Sequence, residues 1–132
     1  MERLLTKLDQ SGRALESLAA VIGITHPAEL ERDAAIQRFE YSVELIWKAA
    51  KEYLYTREGL DLASPKSVMR ALRESGTLSM EETAQALQMI DDRNLTAHTY
   101  NESLAAEIYR RLPGYHRVMS KILAALRREC GS

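Results

Sequence analysis

Between Pro27 and Gly59 one apolar stripe runs without a break, through Leu30, Ile36, Phe39, Val43, Ile46, Trp47, Ala50 and Leu54, at spacings that repeat on one side of a helix. The stretch holds about 30 residues of helix, ~45 Å at 1.5 Å per residue. A helix that long buries its stripe only by lying along other helices, so it predicts the axis of a bundle. Tyr41, Leu45, Ala49 and Tyr53 lie off that stripe and make the helix apolar on a second side. A second packing surface is expected there, with these four residues as candidates for a subunit interface and the chain as a homodimer.

The rest of the chain fits around this axis. Leu4, Leu5, Leu8, Leu15, Leu18, Ala19 and Ile22 predict a first helix ending at Gly23 and Thr25-His26-Pro27. Ser64-Pro65 reads as a cap followed by proline at the first helical position, opening a short helix that stops at Gly76. Ser79-Met-Glu-Glu82 is a capping box for a fourth helix carrying Met80, Ala84, Leu87 and Ile90 on one face. Thr99-Tyr-Asn-Glu102 matches the same box, and Leu104, Ile108, Leu112, Tyr115, Val118, Ile122 and Leu126 follow it. Pro113-Gly114 interrupts this last run while its apolar phase continues, which predicts a kink or short break. No window alternates as a half-buried strand does. The expected fold is one all-α domain over residues 1–132, an antiparallel bundle of four to five main helices with a long second helix and a kinked or broken last one.

Composition narrows the chemistry. Eighteen Lys and Arg stand against nineteen Asp and Glu, a net charge of -1, so no global basic field draws nucleic acid to the chain. Any contact with RNA or a nucleotide has to be local. Residues 74–106 carry six acids against Arg93 alone, and residues 107–132 carry six bases against two acids; such blocks ordinarily mark solvated faces and helix ends. One cysteine and three scattered histidines, His26, His98 and His116, give neither an intrachain disulfide nor a metal-ligand spacing. Neither a metal nor a cofactor is expected. Charges interrupt every apolar run well short of the roughly 18 residues a membrane span needs, and Met-Glu-Arg-Leu-Leu-Thr-Lys has no signal core. A soluble protein of the reducing cytoplasm is expected, with no contact to membranes.

Phosphate loops and nucleophile elbows are also missing from the sequence. What remains is arginine with histidine, in Asp91-Asp-Arg-Asn-Leu-Thr-Ala-His-Thr-Tyr100. Arg93 and His98 are five positions apart, a rotation of about 140° on an unbroken helix, so they converge only if the helix ends between them. The capping match at Thr99 says that it does. A histidine there can take a proton from a ribose 2′-hydroxyl while an arginine fork stabilises the phosphoryl charge. On spacing alone the commoner arrangement is Arg93 paired with Asp91 or Asp92 and His98 closing a helix end. The spacing is cheap: Arg111 and His116 repeat it across the Pro113-Gly114 break, where a structural or surface role is expected.

Arg38-Phe-Glu-Tyr-Ser-Val-Glu-Leu-Ile-Trp-Lys48, Ser64-Pro-Lys, Met89 and Asp92-Arg-Asn-Leu-Thr-Ala-His-Thr-Tyr100 together resemble the HEPN superfamily. The similarity is to its HepT-like branch of nucleotidyltransferase substrate-binding proteins, over roughly Ile36 to Met119. It implies a four- or five-helix bundle that pairs with a second copy, and a cleft lined by Arg93 and His98. It implies catalytic roles for these two residues, and modification or nucleotide binding at Tyr100 and Asn94. It further implies a small nucleotidyltransferase encoded nearby as partner and RNA or a nucleotide as ligand. Some members are metal-independent ribonuclease toxins, neutralised when the partner adds AMP to the motif tyrosine; the other reading is a non-catalytic subunit that binds a nucleotide or substrate for the partner. Members often carry a tryptophan shortly before the fourth-helix methionine, where this chain has Ala86-Leu-Gln-Met89. The resemblance leaves Arg111 and His116 outside the site. Trp47 reads as core, and Glu40, Glu44 and Lys48 as a helix-surface ladder or as polar groups near the cleft.

Overall fold

The computed structural model describes residues 2–131, which form five α-helices: α1 (Glu2–Ala19), α2 (Glu29–Glu58), α3 (Pro65–Glu74), α4 (Met80–Leu95) and α5 (Glu102–Glu129), with a 3-10 turn at Thr96–His98 between α4 and α5. The expected long second helix is there at its full 30 residues. Gly59 ends it in the left-handed conformation (φ 68°), and the Leu60 N–H reaches back to the Leu54 carbonyl, the geometry for which glycine is favoured. Ser64 and Ser79 cap α3 and α4, and the Ser79–Glu82 box closes with both hydrogen bonds, at 3.1 and 2.8 Å.

Side-chain pairings fix the directions. Arg3 meets Glu52, and Arg38 donates to the Ser17 carbonyl, so α1 runs antiparallel to α2. Arg32 meets Glu102 while Arg57 donates to the Glu129 carbonyl, so α2 and α5 run parallel. Lys121 reaches Glu82 and Arg111 reaches Asp92, which sets α4 antiparallel to α5. The core lies between α2 and α5, where Phe39 and Tyr115, both buried, stack with ring centroids 5.6 Å apart. Trp47 is half-buried against its edge. Among the described residues no helix is long and apolar enough to cross a membrane.

Five expectations need correction. Leu30 is 83% exposed and lies outside the core. On α4, Met80 and Ala84 face solvent, while Thr83, Ala86, Met89, Ile90 and Asp92 are buried. The polar members of that face carry their own partners: Thr83 donates to the Ser79 carbonyl at 2.7 Å, and Asp92 is paired across to α5. Ala49 and Tyr53 are buried inside the protomer, because α1 and α5 already cover that side of α2; Tyr41 and Leu45 stay at the surface, with the Tyr41 hydroxyl 2.9 Å from Ser17 Oγ. The last helix does not break at Pro113 but continues through it to Glu129. Proline removes the N–H that would serve the Tyr109 carbonyl, yet Leu112 and Tyr115 on either side are buried and hold the register. The bare backbone of Gly114 admits the Gln85 amide from α4, since a Cβ there would lie 2.5 Å from Gln85 Nε2. Finally, Thr99 does not cap α5. Its hydroxyl donates to the Thr96 carbonyl instead, and Asn101 caps, accepting the Leu104 N–H at 3.2 Å.

Asp92 is a carboxylate taken almost wholly out of water. Arg111 Nη1 donates to both of its oxygens at 3.0 and 2.9 Å, and the Tyr115 hydroxyl donates to Oδ2 at 2.5 Å. Burial, reinforced by this bond to a carboxylate, pushes the Tyr115 phenol well above its ordinary range. Asp92→Ala strands the hydroxyl and the guanidinium together, and breaking a buried pair costs roughly 3 kcal/mol when one partner keeps some solvent. Thermal unfolding is expected to show a Tm lower by ~10 °C, with a smaller fall for Tyr115→Phe, which leaves the Arg111 fork in place.

Candidate functional site at the α4–α5 corner

The corner exists because α4 stops at Leu95. Its last carbonyls then need donors, and threonine side chains supply them: Thr96 gives both its N–H and its hydroxyl to the Arg93 carbonyl, the latter at 2.7 Å, and the Thr99 hydroxyl closes on Thr96. The His98 carbonyl takes the Asn101 N–H at 3.1 Å. Backbone and hydroxyls are thus satisfied locally. The side chains of His98 and Tyr100 are left over.

His98 is exposed, and its ring nitrogens have no hydrogen-bond partner among the described residues; its one contact is edge-on with Tyr100, ring centroids 6.0 Å apart at 76°. Tyr100 is 82% exposed and its hydroxyl is likewise unengaged among the described residues. It lies in the turn before α5, not in the helix's first turn, because Asn101 and not Thr99 is the cap. Asn94 is exposed at the end of α4. The α-helix therefore does end between Arg93 and His98, at Leu95, and the two side chains take different neighbours, Glu44 for Arg93 and Tyr100 for His98.

Arg93 pairs with neither Asp91 nor Asp92. Asp91 is held by Lys66 at 2.7 Å and Asp92 by Arg111, while Arg93 Nη2 lies 3.7 Å from Glu44 Oε2 on α2. Its Nε is buried without a hydrogen-bond partner among the described residues. Glu44 also meets Lys48 at 3.0 Å. Burial pulls the Glu44 carboxyl upward, but the hydrogen bonds of Lys48 and the Trp47 indole and the charges of Lys48 and Arg93 outweigh it and hold the group below the usual carboxylate range. Glu44 and Lys48 are a surface pair and Glu44 is also Arg93's neighbour, while Glu40 joins no ion pair among the described residues. Beside Tyr100, between the start of α2 and the turn, a cavity of about 350 Å³ is lined by Glu29, Asp33, Glu40 and Glu102 against Arg32.

The duplicate spacing is built differently. Arg111 is bound to Asp92 and also reaches Glu107, and His116 Nε2 lies 2.9 Å from the Leu15 carbonyl of α1 with Ser120 Oγ 3.4 Å from Nδ1. Both hold helices together. A family model described as nucleotidyltransferase substrate binding protein like matches residues 5–128. The chain belongs to that family. A crystal structure from Thermus thermophilus is 53% identical, covers 89% of this chain and 98% of its own length, and superposes with a TM-score of 0.87. A tri-AMPylated HEPN toxin of Shewanella oneidensis, solved in complex with an MNT antitoxin, superposes with a TM-score of 0.73 over 95% of this chain and 96% of that one. At 12% identity that likeness establishes the fold, a HEPN helical bundle. No curated protein matches the chain.

Sequence reasoning missed Glu44 as the neighbour of Arg93 and Asp92 as a buried anchor; the pairing of Glu44 needs a contact across two helices, and Asp92 differs from Asp91 only in its helical phase. The two histidines make opposite demands on stability. His98→Ala is expected to leave unfolding within about 0.5 kcal/mol of the parent. His116→Ala removes a bond between α1 and α5 and should cost ~1 kcal/mol or more, read by urea titration of both variants.

Proposed function

We propose that this chain is the HEPN component of a two-gene pair with a small nucleotidyltransferase, of the toxin–antitoxin type, and that it is a metal-independent ribonuclease of the cytoplasm. The observation that carries this reading is the contrast between two Arg-to-His pairs of identical spacing. Arg111 and His116 are consumed by helix packing, whereas His98 and Tyr100 stand without hydrogen-bond partners among the described residues at the α4–α5 corner. The S. oneidensis toxin, with its antitoxin partner and its AMP groups, supports the two-gene context.

In the reaction, His98 takes the proton of a ribose 2′-hydroxyl and the freed oxygen attacks the adjacent phosphorus. The bond from phosphorus to the 5′-oxygen breaks, that oxygen leaves with a proton from solvent, and the products are a 2′,3′-cyclic phosphate and a 5′-hydroxyl. Arg93 holds the phosphate and stabilises its added charge, displacing Glu44 from the guanidinium. Asn94 contributes a polar edge next to Arg93. AMP attached to Tyr100 sets a phosphate beside His98 and Arg93 and blocks the substrate.

A second reading, a non-catalytic subunit that presents a nucleotide or substrate to the nucleotidyltransferase, is favoured by the acidic cavity beside Tyr100, which repels long RNA on that side. The two are separated by incubating the protein with tRNA and mRNA in EDTA. Cleavage is expected to fall by ~10²–10⁴ in His98→Ala and by ~10²–10³ in Arg93→Ala, and to be lost from the parent once the nucleotidyltransferase and ATP have modified Tyr100. Equal cleavage by parent and His98→Ala removes His98 from the mechanism, and no cleavage by the parent selects the binding subunit. The proposal includes a homodimer, with Tyr41 and Leu45 as the candidate residues that remain on the surface of α2. Light scattering should give about twice the 14.9 kDa chain mass; a mass near that of the single chain would contradict it.

A further inference from the structure

The surface beside Tyr100 is dominated by carboxylates. The cavity beside it holds Glu29, Asp33, Glu40 and Glu102 together with Arg32. Arg32, whose side chain is only 14% exposed, also lines a second cavity of about 380 Å³, with Thr25, His26, Tyr109 and Arg110. Arg32 is itself held, with Nη1 2.9 Å from Glu102 Oε2 and Nε 3.9 Å from Asp33 Oδ1, and its buried Nε has no hydrogen-bond partner among the described residues.

In that second cavity the balance changes sign. Arg110 and His26 are both exposed and neither has an ion-pair or hydrogen-bond partner among the described residues, and no carboxylate lines the cavity. The floor is rigid: the Tyr109 hydroxyl donates to the Val21 carbonyl at 3.0 Å and accepts the Ile24 N–H at 3.2 Å, pinning the α1–α2 loop that carries His26 onto α5, which carries Arg110. Two donors on separate elements are thereby held around one opening, with an arginine between that opening and Tyr100.

We infer that His26 and Arg110 form a phosphodiester-binding subsite for single-stranded RNA, which takes a phosphate away from the cleavage point, on the far side of Arg32 from Tyr100. The inference rests on the ribonuclease reading, and it adds what the corner alone lacks. With a net charge of -1 the chain has no general attraction for RNA, so affinity has to come from local contacts such as this one. Neither residue touches the reacting atoms, and both act on binding.

The test uses His98→Ala protein, which binds without cutting, and a fluorescein-labelled single-stranded RNA of about 12 nucleotides followed by anisotropy across a salt series. Adding Arg110→Ala or His26→Ala should weaken binding several-fold at low salt, and Arg110→Ala should flatten the slope of log K against log salt by about 0.7, the value for one phosphate contact on a single strand. Arg13→Ala, an exposed arginine on α1, is the control and should change neither. Equal affinity and slope in all variants overturns the subsite while leaving the ribonuclease reading intact. Absence of RNA binding by the His98→Ala protein at low salt overturns the subsite as well, and cleavage of RNA by the unmutated protein then shows separately whether the ribonuclease reading has failed.

Discussion

A carboxylate in the interior has to be matched or it will not stay there, and Asp92 is matched from α5 alone, by Arg111 and Tyr115. Tyr115 in turn stacks on Phe39 of α2. Through one side chain, α4 is tied to α5 and α5 to the long central helix. The consequence for chemistry lies one residue on. Successive side chains of a helix are about 100° apart, so burying Asp92 against α5 turns Arg93 towards α2, where it meets Glu44. The position of Arg93 is inherited from the burial of its neighbour.

The corner that follows is assembled on the same economy. Thr96 and Thr99 commit their hydroxyls to carbonyls left open by the end of α4, Asn101 commits its side chain to the start of α5, and Glu102 is held by Arg32. The carbonyls at the turn are served by backbone and short polar groups, which leaves the imidazole of His98 and the phenol of Tyr100 without hydrogen-bond partners among the described residues. Arg111 and His116 show the opposite use of the same residue types, with donors committed to Asp92 and to the Leu15 carbonyl.

The architecture was legible because its signals are local. The α2 stripe ends at Gly59, Ser64-Pro65 and Ser79…Glu82 mark two helix starts, and each of these features needs only a few consecutive residues. Readings failed where a tertiary contact decided the outcome. Pro113-Gly114 was expected to kink or briefly break α5, and the helix runs through it unbroken because the buried residues flanking it hold the register. Thr99 looked like a cap, but its hydroxyl was needed one turn earlier. Ala49 and Tyr53 looked available for another subunit, but α1 and α5 were already there. Spacing alone could not separate Arg93–His98 from Arg111–His116; the structural role expected of the second pair is what the packing shows, with Arg111 on Asp92 and His116 on the Leu15 carbonyl. Glu44 beside Arg93 and the His26–Arg110 opening join residues far apart in the chain, and no pattern in the sequence points to either.

The central claim is that Arg93 and His98 act as one unit on a single phosphodiester. The most direct measurement is a double-mutant cycle on single-turnover RNA cleavage in EDTA, comparing Arg93→Ala, His98→Ala and the double variant with the parent. Groups that serve one transition state are strongly non-additive, so the double variant should be little slower than the slower single variant. Losses that multiply, with no coupling between the two positions, would contradict the account.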